Sequence, residues 1–328
     1  MFGLLLNFCL FTYVRGQQNP AYDIVVAADG SGNFTTIQAA VNSTNSVNAT
    51  IYIKKGIYQE KLVIPIEKSG IHFIGEDLVG SVITNGDYTG KPIPGSENAT
   101  FGTSTSYTVW VQSPDVRFEN LTIENSAGRV GQAVALLVDG DRFRANNCRL
   151  LGNQDTLYAK DKASRQYYSD CYIEGTTDYI FGNSTVIFDN CVIHSKMNRS
   201  FITAASTTLE QQYGLVFRRC NLTAEANVTS MYLGRPWRPY AATIFANSWL
   251  GAHIIPAGWS IWSGNNNHET ARYAEYNNTG PGAGTAGRVS WSRQLNDTEG
   301  AELVPSVIFG ANSIFGADWD PTTTGGKQ

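Results

Sequence analysis

An all-β fold, a single-stranded parallel β-helix solenoid with loop insertions, is predicted by a repeat, a composition and a column of cysteines. Six short runs align: FENLTI at 118–123, ANNCRL at 145–150, YSDCYI at 168–173, FDNCVI at 188–193, FRRCNL at 217–222 and FANSWL at 245–250. Their fourth positions (121, 148, 171, 191, 220, 248) step by 27, 23, 20, 29 and 28 residues. A loose period of twenty-odd residues with alternating apolar positions marks a solenoid. The 32 glycines and abundant Asn, Ser and Thr point to turns between short strands, not long helices. Leucine-rich repeats need a leucine lattice that is absent, and a propeller needs about forty residues per blade. Coils of a parallel β-helix stack roughly 4.8 Å apart and place insertions in their loops.

The cysteines test the stacking. Cys148, Cys171, Cys191 and Cys220 occupy one position in consecutive coils. Stacked equivalents about 5 Å apart lie inside the usual disulfide Cα range of roughly 4.4–6.8 Å. The pairs 148–171 and 191–220 are expected. A 171–191 bond and a set of free, buried, stacked thiols are the alternatives.

In chain order, residues 1–16 read as a secretory signal, with an apolar core from 2 to 14 that is too short to span a bilayer comfortably. Cys9 leaves with it. One catalytic domain is expected over 17–320, and a loose Thr- and Gly-rich tail over 321–328. The best helix candidate is 35–41, after a Gly- and Asn-rich turn. Eleven Asn-x-Ser/Thr sequons, at Asn33, Asn42, Asn48, Asn98, Asn120, Asn183, Asn198, Asn221, Asn227, Asn277 and Asn296, support a secreted, glycosylated protein. Those inside strands, such as Asn120, are expected to stay unused.

Several classes are excluded. A net charge of −4 gives no footprint for nucleic acid. The G-x-G-x-x-G match at 282–287 follows a Pro/Gly turn and opens no helix pattern, so no dinucleotide site is read there. His72, His194, His253 and His268 lack metal-ligand spacing, and there is no G-x-S-x-G elbow. No metal, cofactor or membrane partner is expected.

The polar residues follow the same period. Gln132 precedes Gln154 by 22 residues and Asp155 precedes Asp178 by 23. Gln132, Gln154, Asp155 and Asp178 are therefore expected on neighbouring coils of one face. Two carboxyls that close cannot both ionise freely, so one pKa should rise, the arrangement for a nucleophile beside a general acid. Taken singly, either Asp could merely close a turn.

Five segments in order, GIYQE at 56–60, QAVAL at 132–136, QDTL at 154–157, DYIFG at 178–182 and LGRPW at 233–237, resemble the signature segments of the pectin methylesterases. The resemblance runs from about residue 24 to 318. It implies a right-handed parallel β-helix and demethylation of pectin, with Asp178 as nucleophile and Asp155 as general acid and then base. Gln132 and Gln154 become the oxyanion donors, and Arg235 the partner that keeps Asp178 ionised. Trp237 and Phe181 become sugar-binding walls, with Thr103 and Trp259 beside them. Gly56 and Tyr58 read as structural, while Glu60 fits either role. Tyr179 stands where many relatives have Phe, a change of one hydroxyl. Many plant members carry an inhibitory pro-region. Here the catalytic segment starts almost directly after the signal, so no pro-region removal is expected. The partner set is then methylated homogalacturonan and, if any protein, a proteinaceous inhibitor of a monomeric, extracellular or cell-wall enzyme. The rivals are a β-helix glycoside hydrolase, a lyase and a non-catalytic wall-binding protein.

Overall fold

The computed structural model describes residues 22–45, 47–310 and 315–323; the expected signal at 1–16 and most of the 321–328 tail lie outside them. Among the described residues the strands form three sheets of eleven, eight and seven members. Every paired strand is parallel to its neighbour, and the coils from Thr50 to Gly234 supply one strand to each sheet in turn. The molecule is thus a right-handed parallel β-helix.

Its interior is built from side chains that repeat in one register. In the eleven-stranded sheet Phe118 pairs with Ala145, then Tyr168, Phe188, Phe217 and Phe245 follow. These are the first positions of the six sequence runs. The rings of Phe188 and Phe217 stack at 4.5 Å, and those of Phe217 and Phe245 at 4.3 Å. Ala145 leaves a gap that Phe143 fills, 5.3 Å from Phe118 and 5.6 Å from Tyr168. Each fully buried ring contributes on the order of 1.5–3 kcal/mol, so the column is a main source of stability. In the eight-stranded sheet Ile123, Leu150, Ile173, Ile193, Leu222 and Leu250 form a second inward column.

The corner between these two sheets is a left-handed turn. Asn120, Asn147, Asp170, Asn190, Arg219, Asn247 and Asn277 all have φ between 46° and 56°. Asn and Asp tolerate that conformation better than most residues. Their side chains also bond along the stack, Asn147 Nδ2 to Asn120 Oδ1 at 3.0 Å and Asn277 Nδ2 to Asn247 Oδ1 at 2.9 Å.

The cysteines fall in one column, as the repeat predicts, but the expected 148–171 and 191–220 disulfides are not formed. Cys148, Cys171, Cys191 and Cys220 are four buried free thiols. Stacked side chains run parallel, so their Cβ atoms keep the roughly 4.8 Å strand spacing. A disulfide wants Cβ atoms nearer 3.8 Å. Each Sγ instead donates to the carbonyl two residues earlier, at 3.2–3.5 Å. Burial pushes the Cys148, Cys171 and Cys191 thiols well up, so they stay protonated.

The helix at the N-terminal end spans Ile37–Ser43, two residues later than expected. Thr36 is its N-cap, and Glu60 reaches over to accept from Ile37 N and Gln38 N, both at 2.8 Å. Glu60 is therefore structural, an anion on a helix N-terminus. Tyr58 is buried with its hydroxyl on Lys54 O at 2.8 Å. At the other end, Leu303, Ile308, Phe309 and Trp319 cover Ile187 and Val216 on the outside of the eleven-stranded sheet. Fully buried Arg165 holds this segment, pairing with Asp141 at 2.7 Å and donating to Phe309 O and Ala317 O. Pro321 is buried and its carbonyl accepts from Arg144, so the start of the expected tail is docked rather than loose.

Candidate active site

The seven-stranded sheet carries the cleft on its outer face. Strands Leu136–Val138, Leu157–Ala159, Ile180–Gly182, Ser200–Ala205 and Met231–Gly234 lie side by side there. Leu157 pairs with Ile180, an offset of 23 residues, which is also the Asp155-to-Asp178 offset. The two aspartates therefore enter the sheet at equivalent points of neighbouring coils. Both have positive φ, 67° for Asp155 and 48° for Asp178. Asp155 N donates to Thr177 O at 3.1 Å and Asp178 N to Phe201 O at 2.8 Å, which fixes both backbones. Gln132 and Gln154 meet in a parallel bridge one coil earlier. The sheet thus brings together all four polar residues expected on one face.

Arg235 arrives from two coils further on. Phe181 pairs with Ala204, and Arg235 follows the Thr203–Gly234 pair, so it stands opposite Ala204. That small residue leaves room for the guanidinium to reach back to Asp178. It does so bidentately, Nε to Oδ1 at 3.0 Å and Nη2 to Oδ2 at 2.6 Å, the strong geometry for this pair. Phe201 and Trp262 hold the guanidinium between them, their ring centres 4.0 and 4.1 Å away.

These contacts separate the two acids. Asp155 is 7% exposed and its carboxyl is pushed well above the usual range, first by burial and then by the Asp178 charge. Burial raises Asp178 as well, but the Arg235 hydrogen bonds and charge oppose it. Asp178 therefore ionises first, and Asp155 keeps its proton to higher pH. The pair has one member suited to attack and one suited to donate a proton.

The cleft holds about 420 Å³ and is lined by Thr103, Gln132, Gln154, Asp155, Asp178, Phe181, Arg235 and Trp237, all expected from sequence. Ser104, Tyr158, Ala204 and Trp262 line it too and were not anticipated. Tyr158 and Phe181 are register partners and their rings stack at 4.2 Å. The alternation of strand side chains around Phe181 is the signal that could have found Tyr158. Trp259 does not reach the cleft. It bridges to Gly234 and is buried in the core, 4.6 Å from Tyr273 and 5.8 Å from Phe245. The tryptophan that lines the wall is Trp262, three residues on. Tyr179 is fully buried and its extra hydroxyl meets Ser195 Oγ at 3.0 Å. Among the described residues no group of three or more His, Cys, Asp or Glu side chains gathers as a metal site.

Two unequally ionised carboxyls in an aromatic-walled cleft on a parallel β-helix form a geometry suited to acid–base chemistry. Residues 23–307 match the family model Pectinesterase. Pectinesterase 31 of Arabidopsis thaliana is 40% identical over 286 residues, 85% of this chain and 89% of that protein. Several other plant pectinesterases are matched over about half of their own length. Among solved structures, pectin methylesterase from carrot superposes with a TM-score of 0.79 at 33% identity, over 88% of this chain and 92% of that one. A pectin methylesterase in complex with a hexasaccharide superposes with a TM-score of 0.78 at 30% identity, over 92% of this chain and 99% of that one. The chain belongs to the pectinesterase family and is a carboxylic-ester hydrolase.

Proposed function

We propose that the cleft hydrolyses the C6 methyl esters of polygalacturonan, through a covalent intermediate on Asp178. Ionised Asp178 attacks the ester carbonyl carbon, and the carbonyl oxygen becomes an oxyanion. The side-chain amides of Gln132 and Gln154 face that point and donate to it. Collapse breaks the bond to the methoxy oxygen, and Asp155 gives its proton so that neutral methanol departs. Asp155, now a carboxylate, takes a proton from water as the hydroxide attacks the acyl-Asp178 anhydride. Asp178 departs as carboxylate, the product galacturonic acid gives its remaining proton to solvent, and both aspartates return to their starting states. The carrying observation is the asymmetry of the pair: Arg235 clamps one acid in a bidentate grip and leaves the other buried and protonatable. Phe181, Tyr158, Trp237 and Trp262 offer aromatic walls for sugar rings, with Thr103 at the rim.

The substrate is the methylated polymer, as the hexasaccharide complex of the related esterase supports. A polymer of that kind lies outside cells, so secretion to the wall or the medium follows, with the expected signal at 1–16 providing the route. One chain carries every member of the site, so catalysis needs no residue from a second subunit. The test is methanol release from highly methylated pectin by the wild type and by Asp178→Ala, with viscosity followed in the same tube. Methanol from the wild type alone, at steady viscosity, is the expected result. A fall in viscosity without methanol would move the site to glycosidic-bond cleavage and overturn the reading.

A further inference from the structure

The outer face of the eight-stranded sheet presents a tryptophan to solvent. Trp249 is 44% exposed. Its ring is nevertheless held, since a Cβ placed on Gly280 would come within 2.9 Å of its Nε1. Directly across the strand pair stands Asn221, one strand spacing away, roughly 4.8 Å. Asn221 begins the sequon Asn221-Leu222-Thr223. Leu222 points into the core, so Asn221 and Thr223 both face outward. Thr223 Oγ1 lies 2.9 Å from His194 Nδ1 on the same face.

Other sequons are committed to the fold. Asn120 sits in the left-handed corner and donates its amide to Gly75 O at 2.8 Å. Asn198 donates to Asn227 O at 2.7 Å and accepts from Thr229 N and Ser230 N. Asn277 donates into the corner ladder, and Asn183 has its side-chain oxygen buried. A sugar on any of these amides would displace a bond or a neighbour that the native coil needs. Asn221 is exposed and lies next to a flat aromatic surface.

We propose that Asn221 is an N-glycosylation site whose first N-acetylglucosamine packs on Trp249. The donor is a lipid-pyrophosphate oligosaccharide. A bond forms between Asn221 Nδ2 and sugar C1, the bond from C1 to the pyrophosphate oxygen breaks with its electron pair, and one amide proton is released. The apolar face of the pyranose covers indole surface that water otherwise meets. The inference rests on the secretory route and is independent of the esterase chemistry, because sugar occupancy is read without substrate.

The full chain, secreted from a eukaryotic host, is deglycosylated enzymatically in heavy-oxygen water and mapped by peptide mass spectrometry. The expected result is heavy-oxygen aspartate at position 221, absent from the Asn221→Gln and Thr223→Ala variants. An unmodified Asn221 in the secreted chain overturns the site, whatever the other sequons carry. For the packing, Trp249→Ala should lower the thermal midpoint of the glycosylated protein more than it lowers that of Asn221→Gln. Equal shifts in the two backgrounds overturn the contact between sugar and indole.

Discussion

Two corners of the coil share a backbone conformation and differ in almost everything else. At the corner entering the eight-stranded sheet, Asn147 and its stack-mates hold positive φ with their side chains at the solvent boundary. At the corner entering the seven-stranded sheet, Asp155 and Asp178 hold positive φ with their carboxyls buried. At the first corner Asn147 bonds to Asn120, Asn190 to Asp170 and Asn277 to Asn247 along the stack. The second places two acids in adjacent coils without water enough to ionise both. Local conformation selects Asn or Asp in either case. What covers the corner decides whether the side chain is scaffold or reagent.

That contrast can be broken at several points. Asp155→Asn should cut kcat by about 10²–10⁴-fold, the usual worth of a general acid. Asn147→Asp, at the same conformation in the other corner, should leave kcat unchanged; methanol release under saturating pectin reads both. Gln154→Ala should cost roughly 10²–10³-fold in kcat with a smaller change in KM, as for an oxyanion donor. Arg235→Lys removes the bidentate grip that holds the Asp178 pKa down. The acid limb of the kcat profile should therefore move to higher pH. An unmoved limb would mean that Arg235 orients Asp178 without tuning it.

Stability sharpens the same comparison. The Asp155 pKa is raised in the folded state, so its contribution is fully present below the unfolded value and is lost as pH rises through the folded one. Asp155→Asn removes that loss. Its thermal midpoint should gain on the wild type as pH goes from acid to neutral, the reverse of its effect on activity. The smallest change belongs to the solvent corner. Asn147→Ala should cost about 1–2 kcal/mol for a β-carbon in the left-handed region, and Asn147→Gly less, with methanol release intact in both.

The sequence exposed the interior and the polar set well, because both obey the coil period. Phe188, Phe217 and Phe245 repeat at the spacing of the stack, and Asp155 and Asp178 differ by one coil. What escaped it depends on geometry finer than the period. The cysteines are in register, yet parallel side chains one strand spacing apart sit too far apart to bond. Trp259 and Trp262 are three residues apart on opposite sides of the wall, and nothing local in that loop marks which one turns inward. Tyr158 carries no distinct sequence signal because strands of this sheet are apolar on both faces, the outer one being covered by aromatic side chains. The helix boundary differs because its second cap, Glu60, comes from the turn after the strand Gly56–Gln59, more than twenty residues on.

A solenoid has neighbours only fore and aft, so it can unzip coil by coil from either end. The proposed catalytic set spans the turns from Gln132 to Arg235, well inside the N-terminal end that Glu60 ties down, while Arg165, within that span, anchors the C-terminal segment. Fraying that stops short of those turns would leave turnover intact, and the first coil lost beyond them would silence it. Catalysis in this chain is therefore a gauge of how far an unfolding front has travelled, blind to the outer repeats and abrupt at the inner ones.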